Sequence, residues 1–218
     1  MNEYKLGFLF LGAGSSSRML GDDKLLKKIA GVPQIQRILN EALSLSFPVF
    51  VTTPTNNNQR KDAILKTNAV VIEVENSHLG MGHSLSVGVN NILHEFNLGS
   101  IAICPTDLPE LTTAALKDVI DFFLKCPEMI CCPIDENNHK TGHPVIFPSK
   151  YFHRLAKITG DIGAKEVLKK DKQSINYFAT KKKSYFLDLD TPEEWRSLLH
   201  SSGAVSYTHL TLPTILLV

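Results

Sequence analysis

The chain carries almost no net charge: 23 basic against 22 acidic residues leave a formal +1 over 218 positions. A nucleic-acid binder would concentrate basic residues on one face, so that class is disfavoured. The one lysine run, Lys181 to Lys183, precedes an apolar stretch and reads as a solvated strand edge, with phosphate binding as the alternative. No apolar run approaches the ~20 residues needed to cross a bilayer. Met1-Asn-Glu-Tyr-Lys5 leads straight into a strand-like run, so no secretory leader and no membrane partner are expected. The cysteines, Cys104, Cys126, Cys131 and Cys132, form no C-x-x-C pair. Adjacent Cys131 and Cys132 would point to opposite faces of a strand, so buried reduced thiols in a cytoplasmic protein are expected rather than a metal site.

What is present is an alternation of short apolar runs and helical patterns. Leu6-Gly-Phe-Leu-Phe-Leu11 is continuously apolar and stops at Gly12-Ala-Gly14, as a strand buried on both faces of a parallel sheet would. Helical spacing follows over 33–44, then strands over 48–51 and 69–74 around a short helix near 60–66. A helix over 82–96, a strand over 100–104 and a helix over 112–124 come next, the last with Thr112 or Thr113 as N-cap. Strand candidates at 128–133 and 144–147 flank a polar connection, and helices near 150–157 and 163–169 lead to a last strand over 185–189. A final helix starts at Pro192. The pattern predicts an α/β chain with three α/β/α layers and a mainly parallel sheet, in one domain over residues 1–203.

The loop after the first strand, Gly12-Ala-Gly14-Ser15-Ser-Ser-Arg18-Met, is followed by Lys24. In an open parallel sheet ligands bind beyond the carboxyl ends of strands, where this loop must sit. Glycines let the backbone approach phosphate, successive N–H groups make an anion-binding concavity, and Arg18 and Lys24 add positive charge suited to a triphosphate. A Walker loop would end in Gly-Lys-Ser/Thr, which is missing. A dinucleotide fingerprint would need a glycine at Ser17 and an acid where Thr52-Thr-Pro-Thr55 stands. The plain alternative is a Gly/Ser turn without a ligand.

Two acidic sites stand at equivalent strand ends. Asp107 follows the run ending at Cys104, and a carboxylate facing phosphates there calls for a bridging hard cation such as Mg²⁺. Asp188 and Asp190, in Leu187-Asp-Leu-Asp-Thr-Pro-Glu193, would share one face of the last strand. The alternatives are that Asp107 begins a turn and that Asp190 or Thr191 caps the final helix.

Taken together the blocks resemble the molybdenum cofactor cytidylyltransferases, of the MobA-like NTP transferase superfamily. Leu11-Gly-Ala-Gly-Ser-Ser-Ser-Arg-Met19 with Lys24 is similar to their L-A-A-G-x-S-S-R-M-G…K signature. Gly80-Met-Gly-His-Ser-Leu85 with Gly88, Thr106-Asp-Leu-Pro109, Gly142-His-Pro-Val-Ile-Phe147, Gly160-Asp-Ile-Gly-Ala164 and Leu187-Asp-Leu-Asp-Thr-Pro-Glu193 resemble their later blocks, in order. The resemblance implies a Rossmann-like nucleotidyltransferase fold. It further implies transfer of CMP from CTP to molybdopterin cofactor, giving the cytosine dinucleotide and pyrophosphate. On that reading Leu11, Gly12, Ala13, Gly14, Ser15, Arg18, Lys24 and Ser84 would hold the nucleotide. Asp107 with Asp190 or Asp188 would hold Mg²⁺, Arg18, Lys24 and Asp107 would be catalytic, and His143 and Asp161 would lie towards the pterin. Three positions depart from the pattern: Gly12 replaces an alanine, Leu20 separates Met19 from Gly21, and Thr106 replaces a glycine. Ala13 leans towards cytidine, because guanylyl-transferring relatives favour L-A-G-G.

The alternatives are transfer to another small phosphorylated acceptor, use of GTP, or a non-catalytic molybdopterin carrier serving a molybdenum hydroxylase. Finally, Ala204-Val-Ser-Tyr-Thr-His-Leu-Thr-Leu-Pro-Thr214 matches a reading-frame translation of a sequencing-library adapter, so residues 204–218 are expected to be a non-native tail.

Overall fold

A computed structural model describes residues 5–14, 23–187, 189, 191, 193–195 and 198. The opening apolar run is β1 (Leu6–Leu11), buried at every position but the last. A small hairpin, β2 (Lys28–Ile29) and β3 (Val32–Pro33), turns at Ala30 and Gly31, both with positive φ, as a two-residue hairpin turn requires. The other strands are β4 (Val49–Pro54), β5 (Val70–Val74), β6 (Ser100–Pro105), β7 (Ile130–Asp135), β8 (Val145–Pro148) and β9 (Ile175–Thr180). With β1 they form a seven-stranded sheet in the order β5-β4-β1-β6-β8-β7-β9. All neighbours are parallel except β8, which runs against β6 and β7.

The side-chain alternation of each strand divides the core between the two faces of this sheet. Phe8 and Phe10 of β1 pack with Ile35, Ile38 and Leu39 of α1 (Gln34–Leu43) on one face. The same face carries Ala63 and Ile64 of α2 (Asn58–Leu65) and Leu116, Val119 and Ile120 of α4 (Thr113–Phe123). Leu9 points the other way, into a core built on Leu85, Val89 and Ile92 of α3 (Met81–Glu95). That second face also receives Phe152 and Leu155 of α5 (Phe152–Leu155) and Val167 of α6 (Lys165–Lys170). The expected three layers are therefore present, and the Thr112 hydroxyl caps α4 by accepting from the Ala115 N–H at 3.3 Å. No helix among the described residues is long and apolar enough to cross a membrane.

The order of strands fixes where a ligand can bind. The chain steps outward from β1 to β4 to β5, then β6 returns to the opposite side of β1. The strand order therefore reverses between β1 and β6, and the crevice outside the carboxyl ends of the strands at such a switch point is the standard ligand position in open α/β sheets.

The last strand differs from expectation. Tyr185, Phe186, Leu187 and Leu189 are not in a strand; Lys183–Tyr185 is a single 3-10 turn. Their apolar side chains serve packing instead: Tyr185 is fully buried with its hydroxyl donating to the Ala115 carbonyl at 2.8 Å, and Leu189 joins Ile29 and Trp195 in a satellite cluster. The seventh strand is Ile175–Thr180, an edge strand whose partly exposed alternation gives a weak signal. The segment 204–218 lies outside the described residues.

Cys131 and Cys132 do take opposite faces, one in each core, and Cys104 is also buried; Cys126, against expectation, is exposed. Burial, reinforced by the neighbouring Cys132, pushes the Cys131 thiol up to about 12, and burial does the same for Cys132, also to about 12. Cys104 is raised by burial and then by the charge of Asp107. For groups held protonated in the folded state, stability is fully present below the unfolded thiol range near 9 and is lost as pH rises towards 12. The unfolding free energy read from urea melts is therefore expected to fall between pH 8 and pH 10.5, by at most ~1.4 kcal/mol per pH unit per thiol; a flat profile would show that these thiols ionise in place.

Candidate active site

The chain leaves β1 still attached to the sheet. The Gly12 N–H donates to the Thr52 carbonyl at 3.1 Å and to its hydroxyl at 3.2 Å, at the end of β4. A Cβ on Gly12 would lie 2.8 Å from the Thr52 carbonyl oxygen and 3.4 Å from a methyl of Thr106. Glycine in place of the alanine usual in the resembled signature thus follows from the close approach of β4. Thr106, another of the departures, ties the two exit loops together: its hydroxyl donates to the Leu11 carbonyl at 3.1 Å, while its own carbonyl accepts from Gln34 at 3.3 Å.

Asp107 therefore stands beside the glycine loop, two residues beyond β6. Its Oδ2 accepts from Lys24 Nζ at 2.7 Å, with the two side chains only 14% and 19% exposed. Lys24 Nζ also reaches the Leu189 carbonyl at 3.3 Å, and the Leu189 N–H donates to the Asp107 carbonyl at 3.3 Å. Leu189, flanked in sequence by Asp188 and Asp190, is thereby fixed against Asp107. Asp107 Oδ1 is buried and has no hydrogen-bond partner among the described residues. A buried carboxylate oxygen without a donor is costly to leave so and is suited to a cation. Among the described residues no three His, Cys, Asp or Glu side chains gather as a ready metal cluster. Ser15, Arg18, Asp188 and Asp190 lie outside the described residues.

The remaining candidates arrive at the same edge by other routes. Because β8 is antiparallel, with Val145 opposite Ile103, His143 enters at the end where β6 leaves. The His143 N–H donates to the Tyr185 carbonyl at 2.9 Å, and a Cβ on the preceding Gly142 would meet the Phe186 ring and the Tyr185 carbonyl, each at 2.6 Å. Ser84 lies in the first turn of α3, buried, with its hydroxyl donating to the Gly80 carbonyl at 3.4 Å. The Gly160–Asp161 turn packs directly on that helix start, where the Gly82 N–H donates to the Gly160 carbonyl at 2.6 Å. Asp161 is itself exposed. The Gly80–Gly82 and Gly160–Asp161 blocks are thus two sides of one contact. A Cβ on Gly82 would meet the Gly160 carbonyl oxygen at 2.6 Å and Ile158 at 2.8 Å. Gly82→Ala is expected to destabilise the fold by about 1–3 kcal/mol, read from denaturant midpoints; an unchanged midpoint would show that the turn yields freely.

A model of the MobA-like NTP transferase domain matches residues 8–175. The chain belongs to this family. Its members are MobA-like nucleotidyltransferases, and the glycine loop and Asp107 both fall inside the matched span. Solved structures share the fold of this MobA-like chain. Rv0371c from Mycobacterium tuberculosis H37Rv is 23% identical, with TM-score 0.78, 92% of this chain covered and 100% of that one. The same protein has been solved in complex with manganese, at 22% identity and TM-score 0.73, covering 90% and 99%. CMP:2-keto-3-deoxy-manno-octonic acid synthetase, complexed with CTP, is 14% identical with TM-score 0.67, covering 90% and 99%. Molybdopterin-guanine dinucleotide biosynthesis protein A from Archaeoglobus fulgidus is 13% identical with TM-score 0.65, covering 91% and 100%. At these identities the likeness is one of fold. No curated protein is significantly similar in sequence.

Lys24 and Asp107, both singled out by the sequence, meet in an ion pair. Asp23, Thr52, Asn57 and Arg60, which the sequence did not single out, bond to the Gly12–Gly14 backbone or the turn that carries Lys24. Arg60 is 2% exposed. It occupies α2 at the inner-face spacing of Ala63 and Ile64. An arginine on the apolar face of a helix is a legible signal of a buried polar network.

Proposed function

We propose that this MobA-like nucleotidyltransferase transfers CMP from CTP to molybdopterin cofactor, releasing pyrophosphate, with Mg²⁺ as its divalent cation. The observation that carries this reading is the buried Asp107 oxygen, unpartnered among the described residues, beside the Lys24 ammonium at the mouth of the glycine loop. A loop of N–H groups and an ammonium suit a polyphosphate; a carboxylate in the same place suits its metal. The manganese complex of Rv0371c supports a divalent cation, and the CTP complex of the octonic acid synthetase supports cytidine. The molybdopterin-guanine dinucleotide protein supports a pterin acceptor, as do the sequence blocks around His143 and Asp161.

In the mechanism the acceptor's terminal phosphate oxygen bonds to the α-phosphorus of CTP as the bond from that phosphorus to the bridging oxygen breaks, and pyrophosphate leaves. The nucleophile is already an anion, so no covalent enzyme intermediate forms. A divalent cation would neutralise charge on the phosphates and align them. Asp107 would hold it, with Asp188 or Asp190 completing the site; Lys24 would offset charge on the leaving pyrophosphate, together with Arg18. Ser84 and the 12–15 loop would position the nucleotide, and His143 and Asp161 the acceptor. The test is product identity. Incubation with CTP or GTP and either molybdopterin or a sugar phosphate, analysed by mass spectrometry, is expected to give only the molybdopterin–CMP adduct. A guanylyl product or a nucleotide sugar would replace this substrate assignment.

A further inference from the structure

Arg60 reaches both ends of the segment that leads from the glycine loop to Lys24. Its Nη1 donates to the carbonyls of Gly12 and, at 2.9 Å, Gly14. Its Nε and Nη2 donate to Asp23 Oδ2 at 2.9 and 2.7 Å. The other oxygen of Asp23 accepts from the Leu25 N–H at 3.0 Å and so caps the 3-10 turn Lys24–Leu26 that carries Lys24. Asn57 completes the arrangement: its Nδ2 donates to Asp23 Oδ2 at 3.0 Å, and its Oδ1 accepts from the Arg60 N–H at 2.9 Å, capping α2.

We propose that Arg60 is a positioning residue for polyphosphate binding, clamping the Gly12–Gly14 backbone to the Asp23–Lys24 turn. The proposal rests on the nucleotidyltransferase reading above. A trans peptide unit directs its C=O and N–H oppositely. By drawing the Gly12 carbonyl to itself, Arg60 turns the Ala13 N–H away, as an anion-binding loop needs. Through Asp23 it also sets where the Lys24 ammonium starts. A guanidinium supplies these donors in one rigid plane; a lysine, with a single point charge, cannot span both carbonyls and the carboxylate.

The test uses Arg60→Lys with two readouts. One is hydrogen exchange over peptides covering 9–26. The other is binding of tripolyphosphate in the presence of Mn²⁺, measured by calorimetry, which needs neither a base nor an acceptor. The clamp predicts faster exchange confined to that region and polyphosphate binding weakened on the order of 10-fold or more. Unchanged exchange overturns the clamp. Faster exchange with binding within about twofold of wild type overturns its role in positioning phosphate. Wild-type protein that binds no tripolyphosphate overturns the nucleotidyltransferase reading itself, and the clamp is then judged on exchange alone. If Arg60→Lys does not fold, Asn57→Ala, which removes one bond to Asp23 and the α2 cap, is expected to move both readouts in the same direction by less.

Discussion

Replacing Asp107 by asparagine is expected to lower pyrophosphate release by about 10²-fold or more while leaving the fold intact. The substitution keeps size and shape, so the Leu189 N–H bond to the Asp107 carbonyl survives, because it is made by the backbone. What disappears is the negative charge at a place where Oδ2 is already neutralised by Lys24 and Oδ1 has no donor among the described residues. An amide there cannot replace a carboxylate as a cation ligand. Near-normal turnover by a folded Asp107→Asn protein would remove Asp107 from the metal site and reduce its pairing with Lys24 to architecture.

The second large effect is expected at Lys24. Lys24→Met should lower kcat/KM for CTP by about 10²-fold and, in the absence of nucleotide, should strengthen Mn²⁺ binding. The two results have one cause. The ammonium at 2.7 Å from Asp107 Oδ2 stands where a cation would otherwise compete for that carboxylate, and it must turn to the phosphates for both to act. Steady-state kinetics and direct metal titration check the two halves separately. Weaker metal binding in the variant would show instead that Lys24 helps to shape the metal site.

Much of this arrangement is legible in the sequence because the residues involved sit at breaks in strong patterns. Gly12 and Asp107 close two continuously apolar runs, and parallel topology then brings the loops leaving those runs together. The paired roles of Gly80–Gly82 and Gly160–Asp161 were not legible, since they meet across nearly 80 residues through a backbone contact with no side-chain signature. Nor was the clamp, for which α2 must first be docked so that Arg60 meets the glycine carbonyls. The misplaced final strand has a third cause. Tyr185, Phe186, Leu187 and Leu189 carry the apolar content of a strand but spend it on the core and on the Trp195 cluster, while the true edge strand is half polar.

Nucleotidyl transfer at the Asp107–Lys24 edge has a direct readout. Pyrophosphate release should be measured from CTP and a divalent cation, with and without molybdopterin cofactor, with GTP in parallel and Asp107→Asn as control. Release is expected to require CTP, metal and cofactor together and to be lost in the variant. Folded wild-type protein that releases no pyrophosphate from either nucleotide in the presence of molybdopterin would contradict nucleotidyl transfer at this edge.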